Sequence, residues 1–375
     1  MKVLQINIFG NLSTGKIACQ LARDYEAKGD TCYVAYARGN IPSDVKSYRI
    51  GRKLDVYTHA FLSRLNDSCG FHSKRATKRF IKWIKKYNPD LIHLHNIHGY
   101  YIDVKLLFEY LKKSGRNVYW TLHDCWAFTG HCCYFDYNKC EKWRSGCHGE
   151  CVNKKEYPKT LKSNSVRNYE YKKKIFTSLA SDKLTIITPS KWLANLVSKS
   201  YLSKYKIKVI YNKIDLSMFR NVSSDFKLKY GIYNKKMILG VASTWDRRKG
   251  LDTFVDLDKV IDQNNYIIVL VGLDKKQKEY IEEHTNIIGL ERTKTQQELV
   301  EIYSSADLFF NPTLEDNYPT VNLEAQACGT KVLTFDTGGC RETLINGLGL
   351  TISSHNVHVI YKVISSILGD KNDKE

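Results

Sequence analysis

Proline is scarce, at six in 375 residues, and the chain has neither a low-complexity segment nor a short internal repeat. With 43% hydrophobic residues, this excludes a disordered or repeat-built chain and leaves a globular one long enough for two ordinary domains. No apolar run approaches the ~20 residues of a membrane-spanning helix. The longest, around residues 267–271, is strand-sized. The opening MKVLQINIFGN carries one lysine, and Gln5 and Asn7 break its apolar stretch, so it reads as a first β-strand and not a signal peptide. The expectation is a cytoplasmic protein whose 11 cysteines are mostly reduced. Acidic residues are short in one half only. Residues 1–250 hold 19 Asp+Glu against 47 Lys+Arg, whereas residues 251–375 hold 20 against 11. A basic half beside an acidic half suggests two domains with different partners. The basic one suits an anionic membrane surface, nucleic acid or phosphorylated substrates.

Apolar strand runs alternate with helical patterns along the whole chain. Strands are expected at residues 3–8, 31–36, 90–95, 117–122, 184–188, 237–242, 266–272, 307–310 and 331–335. Helices are expected at 14–28, 74–87, 103–114, 190–200, 251–263, 276–284, 295–304 and 319–328. Repeated β-α units imply parallel sheets with helices on both faces, here as two Rossmann-like domains. The boundary is expected near residues 212–233, giving domains over 1–212 and 213–352, then a C-terminal helix and tail over 353–375. Ligands of open parallel sheets bind beyond the carboxyl ends of the strands.

The chemistry-bearing residues fall at such ends. Glu315 and Asp316 follow the strand at 307–310, Pro319 opens a helix carrying Glu324, and Gly329 closes it. A helix start offers N–H groups to phosphate, and carboxylates accept from sugar hydroxyls. The plain alternative is a capping Asp316 and a solvated Glu324. Arg247, Arg248 and Lys249 cluster before a helix and can balance a diphosphate leaving group without a metal. Asp256 and Asp258 form a D-x-D, but they stand mid-helix, where i and i+2 diverge, and read as surface. Residues 10–16 match the G-x-x-x-x-G-K of a P-loop, yet Ile17 stands where a magnesium-holding Ser or Thr belongs. A glycine turn that lets a ligand approach the backbone fits better. His123, with Asp124 beside it, ends the strand at 117–122 and can orient a hydroxyl or carry a proton. His93, His95 and His98 end the preceding strand and read as packed or solvated, with no fourth metal ligand evident.

Six cysteines fall within residues 125–151, beside His131 and His148. In a reducing compartment zinc is favoured over disulfides, with Cys132, Cys140, Cys147 and Cys151 as preferred ligands. Free thiols and disulfides stay open, because the spacings depart from paired C-x-x-C.

Taken together, the turn at 10–16, Thr121-Leu-His123-Asp124, Thr188-Pro-Ser190-Lys191, Asp246 to Gly250, Asp316 to Glu324 and Gly338-Gly339-Cys-Arg-Glu342 resemble the retaining GT-B glycosyltransferases of family 4. The resemblance spans nearly the whole chain, and the acid-x7-acid pattern of Asp316 and Glu324 is its strongest element. The cysteine-rich insert, at about 125–160, resembles a bacterial subgroup that makes capsular and other surface polysaccharides. The resemblance implies an α/β GT-B fold whose two Rossmann-like domains face each other across a cleft. It implies that Glu324 binds the ribose of a nucleotide, Asp316 the donor sugar, and Lys249 with Arg248 the diphosphate. His123 would sit beside the reacting sugar. Asn317, Tyr318, Thr320 and Val321 would complete the phosphate cradle, Gly15 would approach the donor, and Gly289 would lie near the base. Glu315 or Asp316 can fill the first acidic position. Thr244 stands where the family often has Arg, so Arg247 or Arg248 must substitute.

The function implied is retaining, hexosyl-type transfer from a nucleotide donor, most simply a UDP-sugar, to a glycan or lipid-linked acceptor in surface-polysaccharide synthesis. No catalytic cofactor and no nucleic-acid partner are expected. The basic stretches 74–86 and 154–174 would dock the protein peripherally on the inner face of the cell membrane. The rival readings are a basic nucleic-acid binder with a zinc-ordered insert, and a P-loop phosphotransferase using Lys16.

Overall fold

The computed structural model describes residues 1–12 and 14–369. Ser13 of the glycine turn and residues 370–375 of the expected tail lie outside the described residues. The chain divides into two compact units, Met1–Tyr211 and Asn212–Glu375.

In the first unit the order is β1 (Lys2–Ile6), α1 (Thr14–Ala27), β2 (Thr31–Tyr36), β3 (Ser47–Arg49), α2 (Lys53–Asn66), α3 (Lys74–Tyr87), β4 (Leu91–Leu94), α4 (Val104–Ser114), β5 (Asn117–Thr121), α5 (Ser165–Phe176), β6 (Leu184–Thr188), α6 (Lys191–Ser198) and β7 (Lys206–Val209). The seven strands pair in the order β3-β2-β1-β4-β5-β6-β7, all parallel. Past Lys2, strands β1 and β4 are buried throughout, as a sheet covered on both faces requires, and their buried polar residues are satisfied: Gln5 donates to the Ala18 carbonyl and His93 Nε2 bonds the Thr121 hydroxyl. The order reverses between β1 and β4, which makes their carboxyl ends the switch point where ligands of such sheets bind.

The second unit runs α7 (Phe226–Lys229), β8 (Lys236–Val241), α8 (Leu251–Asp258), β9 (Tyr266–Val271), α9 (Lys275–His284), β10 (Ile288–Leu290), α10 (Gln296–Ser305), β11 (Leu308–Asn311), α11 (Thr320–Ala327), β12 (Lys331–Phe335), β13 (Gly349–Ile352) and α12 (Val357–Leu368). Its strands pair as β10-β9-β8-β11-β12-β13, again all parallel, with the reversal between β8 and β11.

Three differences from expectation have local causes. Helix α2 was not anticipated, because its apolar residues Leu54, Tyr57, Phe61 and Leu65 face outward, while Val56, His59 and Ser63 are buried. Helix α8 ends at Asp258 rather than 263. Asp258 is also not a surface residue: it is buried, and its carboxylate accepts the Asn286 N–H at 3.0 Å. Finally, β3, β7, β10 and β13 are short outer strands of three or four residues, too brief to show a period.

Candidate active site

In the second unit the loops after β8 and β11 meet at the switch point. Lys249 Nζ lies 2.5 Å from Asp316 Oδ2, and Arg248 NH1 lies 3.7 Å from the same oxygen. Arg248 also donates to the Glu315 carbonyl at 2.7 Å, and the Leu314 N–H donates back to the Arg248 carbonyl at 2.8 Å. The two loops are therefore stitched by backbone as well as by charge. Asp246 caps the basic turn by accepting the Lys249 N–H at 3.1 Å. Burial disfavours the charge of Asp316, but Lys249 and Arg248 outweigh it, so the carboxyl is held below its usual value. Gly338 backs the acid from the other side. At φ 54° it sits where a Cβ would be 1.8 Å from the Asp316 carbonyl oxygen, which no side chain can tolerate. The sequence reading brought together Arg248, Lys249, Glu315 and Asp316, and the structure does so too, with Arg247 exposed on the same turn.

Helix α11 starts at Thr320 with Pro319 as its N-cap, and no side chain caps it. The half-buried Thr320 and Val321 form its first turn, with Tyr318 just outside and Asn317 buried behind Asp316, whose Oδ1 accepts the Asn317 N–H at 2.9 Å. Glu324 stands one turn further on and accepts the Tyr303 hydroxyl at 3.2 Å. A buried amide network fixes the helix. Asn311 donates to Asn322 at 2.8 Å, Asn322 to Thr343 at 2.8 Å, and Gln326 accepts the Ile345 N–H at 2.6 Å. Tyr303, Asn322 and Gln326 escaped the sequence reading, since each occupies a position that the apolar period alone would fill. Gly289 lies in the middle of β10, at the edge of the sheet, paired with Leu270. It does not join the acidic–basic cluster.

The first unit's switch point is built from imidazoles. His95 Nε2 is 2.9 Å from Gln5 Oε1, and His95 Nδ1 is 3.1 Å from His123 Nε2. Gln5 Nε2 donates to the Ala18 carbonyl, which leaves Oε1 as the acceptor. His95 therefore carries its proton on Nε2, His123 donates through Nε2, and His123 Nδ1 is its acceptor nitrogen. Burial holds these groups neutral: it lowers His93 to about 3, with the His123 ring adding to it, and His123 to about 4, against the opposing pull of the Asp124 carboxylate. Asp124 bonds His98 Nε2 at 2.9 Å instead of His123. These two and Cys133 are the one trio of potential metal ligands within 4.8 Å of one another among the described residues. Gly15, in the first turn of α1, has a backbone reason to be glycine: a Cβ there would lie 2.7 Å from the Phe9 carbonyl oxygen.

The four preferred cysteines of the insert, Cys132, Cys140, Cys147 and Cys151, line one cavity. Lys172, within the basic stretch 154–174, is buried and donates to the Trp126 carbonyl at 2.7 Å, so it takes no part in a basic surface.

Comparison with known proteins gives the family. The model for "Glycosyltransferase Family 4" matches residues 14–218, and that for "Glycosyl transferases group 1" matches residues 223–375. The chain belongs to glycosyltransferase family 4. Among curated relatives, the family 4 chain is 24% identical over 285 residues to WcaC of Escherichia coli (strain K12), provisionally named as a colanic acid biosynthesis glycosyl transferase. That match covers 72% of this chain and 65% of WcaC. It is 22% identical to the capsular polysaccharide biosynthesis glycosyltransferase CapM of Staphylococcus aureus, over 57% of this chain and 60% of CapM. These matches thus span less than two thirds of either relative. Among solved structures, sucrose-phosphate synthase from Thermosynechococcus elongatus superposes with a TM-score of 0.70 at 15% identity, covering 99% of this chain and 90% of that one. Anabaena HepE in complex with UDP-glucose superposes at 0.66 and 15% identity, over 99% and 90%. At such identities the likeness establishes the GT-B fold.

Proposed function

We propose that this family 4 chain transfers a hexosyl group from a UDP-sugar to a glycan or lipid-linked acceptor in surface-polysaccharide synthesis, with retention of configuration. The observation that carries this reading is the second unit's switch point, where Lys249 and Arg248 close on Asp316 beside the start of α11, which no side chain caps. Such a helix start takes a diphosphate on its N–H groups, and the cations stabilise the charge that develops as the sugar–phosphate bond breaks. Glu324, oriented by Tyr303, accepts from ribose hydroxyls. Asp316 and Glu315 bind the donor sugar. His123, its Nε2 engaged by His95, sits beside the reacting sugar. In retaining transfer the phosphate departs and the hydroxyl arrives on one face. Holding the reactants supplies most of the acceleration, and no divalent ion is required. The HepE complex with UDP-glucose and the diphospho-undecaprenol acceptor in the name of a Campylobacter jejuni relative, 25% identical over 37% of this chain, support the donor and acceptor classes.

The same reading places the first unit on an anionic bilayer. No helix is long and apolar enough to cross a membrane among the described residues. Yet α2 exposes Leu54, Tyr57, Phe61 and Leu65 at 44–73% on one stripe, and Leu161, at 66%, hydrogen-bonds back to Arg64 at its end. Next to it α3 exposes seven cations and no acid, and Arg79 reaches to 3.8 Å from Asp55 of α2. An apolar stripe beside a cationic one fits acyl chains under anionic headgroups, whereas nucleic acid would leave the stripe in water.

The deciding experiment is a thermal-shift screen of nucleotide sugars, followed by product analysis. A UDP-sugar at a hundred times its Kd should stabilise by about 2.7 kcal/mol. Transfer should persist in chelator, and product NMR should show the donor's anomeric configuration. A strict magnesium requirement, or an inverted product, would overturn the mechanism. Flotation with anionic vesicles should be lost in Phe61→Asp and reduced in neutral vesicles; equal binding of both proteins would remove the docking surface.

A further inference from the structure

Residues 125–164 contain only two three-residue 3-10 turns, at Trp126–Phe128 and Lys142–Arg144, yet they bury Trp126, Phe128, Phe135 and Trp143. A segment this long with so little regular hydrogen bonding needs another tie to hold one shape. The structure places five metal-ligating side chains around a single cavity of about 10 Å³ in this segment: His131, Cys132, Cys140, Cys147 and Cys151. That is room for one small occupant.

His131 shows what the occupant would be. Its Nδ1 lies 2.6 Å from Asp67 Oδ1, with both side chains almost wholly buried. The other Asp67 oxygen accepts the Asn164 N–H at 2.9 Å. The carboxylate therefore holds the imidazole proton on Nδ1 and leaves Nε2 as a bare lone pair. That Nε2 is buried and has no hydrogen-bond partner. A carboxylate behind one ring nitrogen and an open lone pair on the other is how ligating histidines are oriented. An unpaired buried lone pair is otherwise costly. The thiols carry matching signs. Gly130 N–H points at Cys147 Sγ, 3.1 Å away. Trp143 Nε1, on the same cavity, is also buried without an acceptor, which a thiolate would supply.

We propose that this cavity is a closed structural zinc site in which His131 Nε2 and three of the thiolates of Cys132, Cys140, Cys147 and Cys151 hold the ion. Three thiol protons leave to solvent as it binds, and His131 enters neutral. The donors surround the cavity without converging on a point, since among the described residues only His98, Asp124 and Cys133 come within 4.8 Å as a trio. Closure needs the cysteines to turn between staggered rotamers, a small motion for so short a side chain. The His98 trio is the weaker candidate, because its imidazole and carboxylate already satisfy each other. The lysine on the cavity wall, Lys142, is drawn off by the Glu150 carbonyl at 3.2 Å. The proposal stands apart from the transfer reaction and does not depend on it.

The test is elemental analysis of the whole chain, purified under reducing conditions without chelator and re-equilibrated with zinc. About one zinc per chain is expected. Cobalt substitution should give the absorption of a tetrahedral ion with three thiolates. His131→Gln should weaken zinc retention against a chromogenic chelator by at least ten-fold, as should Cys147→Ser. If either variant fails to fold, thiol titration of the unmodified chain decides: three thiols should become reactive only when the metal is displaced. Absence of zinc with all thiols freely reactive, or with thiols appearing only after reduction, would overturn the site in favour of free thiols or disulfides. Four thiolates on cobalt, with full retention in His131→Gln, would overturn the assignment of His131.

Discussion

The switch points of the two sheets have the same position in the topology and different chemistry. In the first unit, buried neutral rings pass hydrogen bonds from His123 through His95 to Gln5. In the second, Lys249 and Arg248 face Asp316 as full charges. On the proposed function, the difference follows from what each must hold. A sugar hydroxyl is matched by a neutral acceptor with a fixed tautomer, while a diphosphate needs cations that a local carboxylate keeps in place until it arrives.

The sharpest way to break this comparison is to remove the charges. Lys249→Ala and Glu324→Ala should each lower kcat/KM by about 10²–10³-fold with unchanged circular dichroism. Lys249→Ala combined with Asp316→Ala should cost far less than the product of the two single losses, because the two side chains act as a unit. Near wild-type turnover in both single variants would remove this site. His123→Ala, which deletes one neutral hydrogen bond worth about 1 kcal/mol, should cost only about five-fold. A loss exceeding that of Lys249→Ala would reverse the roles assigned to the two units.

Acid should separate the units. His59, His93 and His123 have folded values lowered to about 3, 3 and 4, and His95 lies well below its usual 6.5; burial is the main cause in each. Between pH 6.5 and those values the unfolded chain binds more protons, so stability is full above 6.5 and falls as pH drops, by up to about 1.4 kcal/mol per unit per group. Asp316 is lowered from 3.8, so its contribution is lost only on falling through that still lower folded value. Amide exchange at about pH 5 should therefore show the first unit loosening while the surroundings of Asp316 keep their protection; equal loosening of both would refute the assignment. The smallest effect expected is in Tyr303→Phe. Losing one donor to Glu324 should weaken UDP affinity by about five-fold and leave kcat nearly unchanged; an equal fall in kcat would give Tyr303 a part in the transition state.

Much of the second unit's site was legible in the chain. The order of acidic pair, proline, apolar helix and glycine over residues 315–329 is a local signal, and the fold places those residues at a strand end and a helix start, as that order requires. The rest was not legible, for identifiable reasons. Helix α2 inverts the usual polarity, hiding His59 and Ser63 while showing Phe61, so a search for an inward apolar face passes over it. Asp258 looked like a solvated member of a D-x-D, because nothing nearby in sequence announces its partner, Asn286, 28 residues on. The pairing of His131 with Asp67 spans 64 residues and that of His95 with Gln5 spans 90, distances over which sequence carries no pairing information without the sheet.

The sequence by itself determined that the chain forms two parallel α/β sheets, which strand ends carry charge or imidazole, and where the cysteines gather, because period, helix punctuation and composition act over a few residues at a time. Only the tertiary structure decided which groups meet. It set the tautomer of His123, the ion pair that holds Asp316 charged, and the buried, unpartnered Nε2 of His131 on a cavity it shares with four thiols. Each depends on burial and on partners brought from far along the chain, and burial is what makes an unpaired proton, charge or lone pair costly enough to fix.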